Sequence, residues 1–421
     1  MFFKVFFLFC FISSRALLYS QQDVFPAWEE GVLELHHIAT GRGNAAFGIF
    51  PDGTTILIDA GDMSETHPRT LSDRNTKLTP NRRKTAPEWI VDYIDQFLPK
   101  KQSQHLDYAL ITHYHDDHFG EMDSTRIKAV HGDYFLTGIT AVGDKLPIKK
   151  MIDRGSTYPI DLKDAKIQFA LNKDDAYGMI ATLKNYWNFI AYQSKQNGLV
   201  HEALLPGALN QIRLTNFPEK FPNFYVQNIA VNGEVWTGEG EENFSLFKKE
   251  QYPGENPLSA CIKISYGDFD YFTGGDISGV NGFGESDFNF VESHIAPVVG
   301  SVDVATLNHH GNRDSQNTFY VRTLRPKVWI GQSWSSDHPD NNVLRRILSE
   351  ELYPGSRDIF ATALLQPNIS VIGGLTNRYK SQQGHIVVRV YDSGKKYDIY
   401  VLNDQSEKRE VIAKFGPYVS R

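Results

Sequence analysis

Three histidines and two aspartates lie within six consecutive residues at positions 113–118, which read HYHDDH. Imidazole nitrogens and carboxylate oxygens are ligands that zinc and other transition metals take from proteins. His113 and His115 are two residues apart and can face one ion, while Asp117 and His118 can turn towards a second ion. The segment follows an apolar stretch and precedes Phe-Gly, a setting that does not suit an accidental surface histidine tract. The spacing therefore predicts a metal centre.

Alternating strands and helices are predicted to position this segment. Apolar and β-branched runs that end at glycine or aspartate indicate strands; they cover residues 32–39, 53–62, 106–112, 212–217, 224–231, 258–267, 268–276, 302–311 and a hairpin at 384–402. Apolar residues at helical spacing indicate helices, which cover residues 87–97, 176–196 and 343–352. The polar, basic stretch 67–84 is predicted to be an exposed loop. This pattern predicts an α/β fold with ligands clustered at strand ends.

The first twenty residues have the layout of a secretory signal peptide. One early cation, Lys4, precedes an apolar stretch from Val5 to Ile12, and small and polar residues follow up to Ser20. We expect residues 1–20 to be a signal peptide, residues 21–421 to form one domain with an insert around 121–254, and the protein to be exported to a periplasmic or extracellular location. No apolar run after residue 20 is long enough to predict a membrane span.

Charge and cysteine content exclude several classes of function. The formal net charge is −7, and removal of residues 1–20, with Lys4 and Arg15, makes it more negative. Proteins that hold nucleic acid through many phosphate contacts tend to be basic, so a long DNA footprint is not favoured, although extracellular nucleic acid stays a candidate substrate. The chain has two cysteines, Cys10 and Cys261, so only one remains after residue 20. An internal disulfide and a cysteine-rich zinc site are therefore excluded.

The segment THYHDDHFG resembles the H-x-H-x-D-H signature of metallo-β-lactamase-fold hydrolases. The order of the later motifs is also similar to that family. Asp59 in ILIDAGD resembles the aspartate that orients a ligand histidine through its second ring nitrogen. Asp276 in FTGGD resembles the metal-bridging aspartate, and His309 and His310 in LNHHG resemble the final metal histidine. The resemblance implies an αββα sandwich, in which two packed β-sheets are flanked by helices.

Finer features resemble the branch of this family that contains ComEC-type domains and phosphorylcholine esterases. The turn Gly41-Arg42-Gly43-Asn44 stands where that branch has G-Q-G-D. The segment 255–259 (ENPLS) precedes FTGGD as an N-x-x-S segment does there, and Asp337-His338-Pro339 follows the HHG motif. The resemblance implies that at least one of His309 and His310 binds the ion held by Asp117 and His118.

Two positions depart from the wider family pattern. Asn232 occupies the place where many members carry another metal histidine. ComEC-like members commonly lack that histidine. Arg42 and Asn44 replace the usual residues of the glycine turn. His131 and His201 are candidates for the missing ligand, but both lie outside a strand-end context. We expect surface roles for them, and core or supporting roles for the two histidines at positions 36 and 37.

The resemblance and the predicted metal pair together favour a secreted binuclear zinc phosphoesterase or phosphodiesterase that uses a metal-bound hydroxide. Manganese or iron could replace zinc in a site of mixed nitrogen and oxygen ligands. Asp117 and His338 are the predicted catalytic residues, His338 as a proton donor or oxyanion stabiliser. The expected substrate is a small or cell-surface phosphoester. The alternatives are a C–O or C–N hydrolase, such as a lactonase or β-lactamase-like enzyme, and a non-catalytic metal-binding surface protein on the same fold.

Overall fold

Strands rich in β-branched and aromatic residues dominate the chain. A computed structural model describes residues 24–99, 104–171, 178–248, 251–280, 290–408 and 410–421. The strands are β1 (Leu33–His37), β2 (Ala46–Ile49), β3 (Thr55–Ile58), β4 (Leu106–Leu110), β5 (Ile148–Asp153), β6 (Val200–Ala203), β7 (Phe224–Val231), β8 (Glu234–Trp236), β9 (Asn243–Ser245), β10 (Cys261–Tyr266), β11 (Phe269–Thr273), β12 (Val304–Thr306), β13 (Val328–Gly331), β14 (Asp358–Ala361), β15 (Tyr379–Ser381), β16 (His385–Tyr391), β17 (Lys396–Leu402) and β18 (Val411–Val419). The predicted signal peptide at 1–20 lies outside the described residues.

Helices connect many of these strands. They are α1 (Pro68–Leu71), α2 (Ala86–Phe97), α3 (Asp116–Phe119), α4 (Gly138–Lys145), α5 (Ala165–Leu171), α6 (Met179–Asn197), α7 (Val291–Val299), α8 (Thr318–Leu324), α9 (Asn341–Ile347) and α10 (Gln366–Ile372). Helix α2 begins with a capping box in which Thr85 and Glu88 satisfy each other's backbone groups, and Pro87 lies in its first turn. None of the described helices combines the length and the apolar character needed to cross a bilayer.

The strands form two mixed sheets of nine strands each. The first has the order β18-β17-β16-β1-β2-β3-β4-β5-β6, and the second has the order β15-β14-β13-β12-β11-β10-β7-β8-β9. Strands β3 to β6 run parallel, as do strands β11 to β15. Because parallel strands end at the same edge of a sheet, the segments that follow β3 and β4, and those that follow β11 and β12, are each brought side by side.

Three buried layers hold the sheets and helices together. One apolar cluster contains side chains from both sheets, such as Leu35 and Ile58 from the first and Ile262 and Val304 from the second. A second cluster joins the other face of the first sheet to α2, α4 and α6, and a third joins the second sheet to α7, α8, α9 and α10. The fold is therefore α/β, with two large sheets and helices in the arrangement of a sandwich.

The structure corrects the prediction of a strand at residues 212–217. This segment forms no strand, although Ile212 and Leu214 are buried between the sheets. Side chains take the place of strand partners, because the backbone N–H of Thr215 donates to Thr54 Oγ1 (2.8 Å). The apolar pattern reported burial correctly, but burial alone does not specify a strand. Similarly, stretch 67–84, predicted to be exposed, contains the short helix α1 and the buried residue Asn75.

Candidate metal centre

The metal-binding candidates meet where four strands end. Asp59 directly follows β3, and the HYHDDH segment comes after β4 at the same edge of the first sheet. On the second sheet, Asp276 comes after β11 and the pair His309 and His310 comes after β12. The packing of the two sheets brings these four segments together.

One group consists of Asp117, His118, Asp276 and His310, which each offer a ligand atom within 4.8 Å of the others. His118 Nε2 lies 3.2 Å from Asp276 Oδ1 and 3.3 Å from His310 Nε2. His310 Nε2 lies 3.0 Å from Asp117 Oδ2. All four side chains are buried, so the group forms a closed set of two nitrogen and two oxygen donors. Such a set could hold a divalent metal ion.

A second group consists of His113, His115 and, again, Asp276. His113 Nε2 lies 3.1 Å from His115 Nδ1 and 3.7 Å from Asp276 Oδ2. His115 is partly exposed, whereas the other two are buried. Asp276 thus belongs to both groups, and this group has one protein donor fewer than the first.

Contacts at Nδ1 fix the orientation of the His118 and His310 rings. His118 Nδ1 lies 2.8 Å from Asp59 Oδ2, so Asp59 contacts the second ring nitrogen of a candidate ligand histidine, the kind of contact that the resemblance implied. His310 Nδ1 lies 2.8 Å from the backbone oxygen of Gln332. A ring nitrogen that donates to oxygen leaves the opposite Nε2 unprotonated in the neutral imidazole, which makes Nε2 available to a metal.

The charges of the group suit a cation. Burial alone would raise the pKa of Asp276, but the neighbouring His118 and His310 hold it well below the usual range. Burial alone would lower the pKa of His118, yet the carboxylates of Asp276 and Asp117 raise it well above its ordinary value. Ionised carboxylates therefore attract positive charge to this spot, whether as protons on histidines or as a metal ion.

The geometry separates His309 from His310, which the sequence could not do. Both residues have positive φ, 47° and 55°, so the two rings leave a tight left-handed turn in different directions. His310 enters the first group, whereas His309 Nε2 lies 3.9 Å from Asp276 Oδ2 and 3.1 Å from Asn256 Nδ2. His309 Nδ1 lies 2.7 Å from Asp314 Oδ1. His310 is therefore the better placed candidate ligand, and His309 lies beside the first group.

His338 lies beside His310. The two rings stack with centroids 4.7 Å apart and planes at 19°, and the edge of Trp334 packs on His338 at 4.8 Å. Burial, together with the positive charge of His310, lowers the pKa of His338 to about 3. Its Nδ1 makes no hydrogen bond with any described residue. His338 is thus held neutral in this arrangement, and its role as proton donor or oxyanion stabiliser stays a prediction.

A buried ion pair lies next to Asn232, the position where the resemblance would place a further metal histidine. Asn232 Nδ2 donates to the backbone oxygen of Arg154 (2.7 Å), and Arg154 Nη1 donates to Asn232 Oδ1 (3.2 Å). Arg154 also donates to both carboxylate oxygens of Glu255, at 2.5 and 2.8 Å. Glu255 Oε1 in turn accepts from the backbone N–H of Tyr114, which stands between the two histidines of the second group (2.9 Å). Arg154 was not predicted as part of the site, and its place directly after β5 is the one feature that could have indicated it.

The remaining histidines lie outside both groups. His131 is exposed, and His201 Nε2 contacts Asp153 Oδ2 at 2.8 Å. His36 and His37 are fully buried, and their rings contact core groups such as the hydroxyl of Tyr93. Among the described residues, neither His131 nor His201 is brought to the metal groups.

The glycine turn at residues 41–44 contacts the HYHDDH loop. The backbone N–H of Asn44 donates to the backbone oxygen of Asp117 (2.7 Å), and Asn44 Nδ2 donates to Asp59 Oδ2 (3.3 Å). The buried side chain of Arg42 ties the turn to Glu65 and to the backbone oxygen of Thr76. Arg42 and Asn44 therefore both make contacts that hold this turn in place.

Gly43 is expected to tolerate no side chain. Its φ is +125°, and a Cβ would lie 2.2 Å from the backbone oxygen of Asp117. We expect Gly43→Ala to lower the free energy of unfolding by at least about 3 kcal/mol, since strain and overlap add. The control Gly198→Ala has φ +70° with nothing near the added carbon, and should cost only about 1–2 kcal/mol. Chemical denaturation of both variants measures the difference, and equal losses would contradict the close approach.

The two groups open into a cavity of about 270 Å³. Its lining consists of Arg69, His115, Asp116, Asp117, Asp276, His309, His310, Asn312, Trp334, Ser335, Asp337 and His338. Arg69, Asn312 and Trp334 were not predicted from the sequence, because nothing in the residues around them indicates a site. Four of the six donor residues, His115, Asp117, Asp276 and His310, therefore face a space that a small substrate could enter.

A scan against protein-family models and a search of curated protein sequences found no match to this chain.

Proposed function

We propose that this chain is an exported metal-dependent hydrolase of the metallo-β-lactamase fold, and that it hydrolyses phosphoester or phosphodiester bonds with two bound zinc ions. The observation that carries the proposal is the sharing of Asp276 between the two donor groups. One carboxylate common to two sets of histidines is the arrangement expected of a bridging ligand between paired metal ions. The two-sheet architecture, with the donors at strand ends, supports the same fold.

The donor chemistry fits zinc. The groups combine imidazole nitrogens with carboxylate oxygens, and no described cysteine takes part. When bound, paired zinc ions would activate water at neutral pH and polarise an oxygen of the substrate. Asp276 would hold both ions, and Asp59 would keep His118 in the ligand tautomer through Nδ1. Manganese or iron would be held by the same atoms.

The protein side chains would also position the substrate. His338 lies on the cavity wall beside the ligand His310, where its ring N–H could donate to a leaving oxygen. Asp117 is both a ligand and a lining residue, so its carboxylate would face the reacting centre. In-line displacement at phosphorus suits a site in which attacking and leaving oxygens are both stabilised, and this favours phosphoesters over carbonyl substrates. The small cavity suits a small or cell-surface phosphoester better than a long duplex.

The test measures metal content together with hydrolysis of bis(p-nitrophenyl) phosphate and p-nitrophenyl phosphorylcholine. We expect about two metals per chain in the wild type and a loss of at least about 100-fold in kcat/KM for His115→Ala. His131→Ala is the matched control, because His131 is exposed and lies outside both donor groups. It should retain both metals and full turnover.

Two other outcomes would change the conclusion. Two metals with turnover of lactones or β-lactams, and none of phosphoesters, would replace the proposal with a C–O or C–N hydrolase. A wild-type protein that binds no metal would contradict the catalytic proposal and leave a binding protein on this fold.

A further inference from the structure

We propose that Arg69 recognises the anionic oxygen of the substrate, which makes it a specificity residue for negatively charged esters. This inference rests on the proposed phosphoesterase function. Arg69 belongs to α1 and lines the metal cavity, with about half of its side chain exposed (51%). It is the single lysine or arginine among the described residues that line this cavity. Four aspartates line the same space, so the arginine stands out as its one permanent cation.

Both ends of the segment that carries Arg69 are anchored. At one end, the buried Asp62 accepts from Arg126 Nη1 (2.6 Å). At the other end, Asn75 Nδ2 donates to the backbone oxygen of Arg69 itself (2.7 Å). The backbone N–H of Thr76 continues the attachment by donating to the backbone oxygen of Trp334 (2.9 Å). The arginine is therefore carried on a braced loop, which lets a long side chain present its head at a defined place.

The guanidinium group itself is only partly engaged. Arg69 Nη2 donates to Asp116 Oδ2 (2.9 Å) and contacts Met63 Sδ (3.5 Å), and Cζ lies 5.4 Å from the centre of the Trp334 ring. Within the described chain, Nε and Nη1 make no hydrogen bond, so they remain available to a bound anion. Asp116 stands between the ligands His115 and Asp117, which fixes the guanidinium close to the metal groups.

A phosphodiester gives this arrangement a specific task. The reacting phosphoryl group of a diester carries one negative charge on its non-bridging oxygens, and a planar guanidinium can donate two parallel N–H bonds to such oxygens. A lactone or β-lactam ring has no anionic oxygen on its reacting group. Arg69 would therefore strengthen the binding of anionic esters without a comparable effect on neutral ones.

The experiment compares the zinc-loaded wild type with Arg69→Gln and with Arg74→Gln. Arg74 is the matched control, because it lies on the same segment, donates to Ser336 Oγ and does not line the cavity. We expect Arg69→Gln to raise KM for bis(p-nitrophenyl) phosphate by about 10- to 100-fold with a smaller change in kcat. Calorimetric titration with inorganic phosphate should show a loss of affinity of similar size. For Arg74→Gln, both quantities should stay within about twofold of the wild type.

Each other outcome bears on a separate point. Equal phosphate affinity in the three proteins would overturn the role of Arg69, whatever the turnover. Loss of metal from Arg69→Gln would overturn it as well, because Arg69 would then act by holding Asp116 and the ligand loop. Weaker phosphate binding in Arg69→Gln alone, together with a wild type that hydrolyses no phosphodiester, would support the anion site and contradict the proposed function.

Discussion

Replacing Asp276 by alanine is expected to weaken metal binding in both donor groups at once. Its two carboxylate oxygens lie 3.2 Å from His118 Nε2, 3.5 Å from His310 Nε2 and 3.7 Å from His113 Nε2. No other described residue belongs to both groups. With the shared carboxylate gone, the second group keeps only two histidines, too few for a stable zinc site. The first group keeps Asp117, His118 and His310, so we expect at most about one metal per chain, with a loss of phosphoester turnover of at least about 1000-fold.

The control for this variant is Asp268→Ala, which removes the same charge from the opposite end of the β10–β11 hairpin. Asp268 is exposed in the turn between these strands. It should keep both metals and full turnover. Thermal unfolding with and without a chelator adds a second measurement: chelation should lower the Tm of the wild type more than that of Asp276→Ala, because binding of a metal to the folded state stabilises it. An Asp276→Ala protein that still binds two metals would contradict a shared ligand.

The sequence predicted those parts of the site that are local. Positions 113–118 predict a metal-binding loop, because their residue types and spacing can be recognised without knowledge of the fold. Asp59 was expected to contact a ligand histidine because ILIDAGD resembles a family motif, and its carboxylate lies 2.8 Å from His118 Nδ1. The choice between His309 and His310 could not be made, since it depends on two consecutive residues with positive φ.

Long-range pairings are the part that the sequence could not provide. Arg154 and Glu255 are 101 residues apart, and only the packing of β5 against the segment before β10 brings them together. Arg69 lies in a stretch whose polar composition predicted an exposed loop, and the same stretch in fact borders the cavity. Residues 212–217 show the converse error, in which real burial was taken for a strand. Burial and local chemistry can be predicted from short segments of sequence, whereas contacts between segments that are distant in the sequence cannot.

Breaking the Arg154–Glu255 pair is expected to cost more stability than any change of a surface ion pair. Arg154 is 1% exposed and Glu255 is 4% exposed, and each is the only charged partner of the other in a direct hydrogen bond among the described residues. Burial alone would raise the pKa of Glu255, but Arg154 lowers it below the ordinary value. Arg154→Met would leave that carboxylate buried without its cation. We expect a loss of about 3–5 kcal/mol in the free energy of unfolding, measured by denaturation of metal-free protein.

The matched control removes a lysine from an exposed pair. Lys220 Nζ lies 2.8 Å from Glu30 Oε1, and both side chains are about half exposed. Lys220→Met should therefore change the unfolding free energy by less than about 1 kcal/mol. The double variant Arg154→Met/Glu255→Leu should recover part of the loss, because it removes the unpaired charge as well as its partner. Non-additivity of this kind would identify the pair, rather than the volume of either side chain, as the source of the effect.

The same pair should also affect the metal centre, because Glu255 Oε1 accepts the backbone N–H of Tyr114 between His113 and His115. Without this acceptor the backbone that spaces the two histidines is less constrained, and loss of such a supporting contact typically costs about 10- to 100-fold in metal affinity. We therefore expect zinc titration of Glu255→Leu, which removes the acceptor, to show one weakened site and one unchanged site, since the first group does not include His113 or His115. Equal weakening of both sites would attribute the effect to general destabilisation. Unchanged affinity at both would show that the ion pair supports the fold and not the metal ligands.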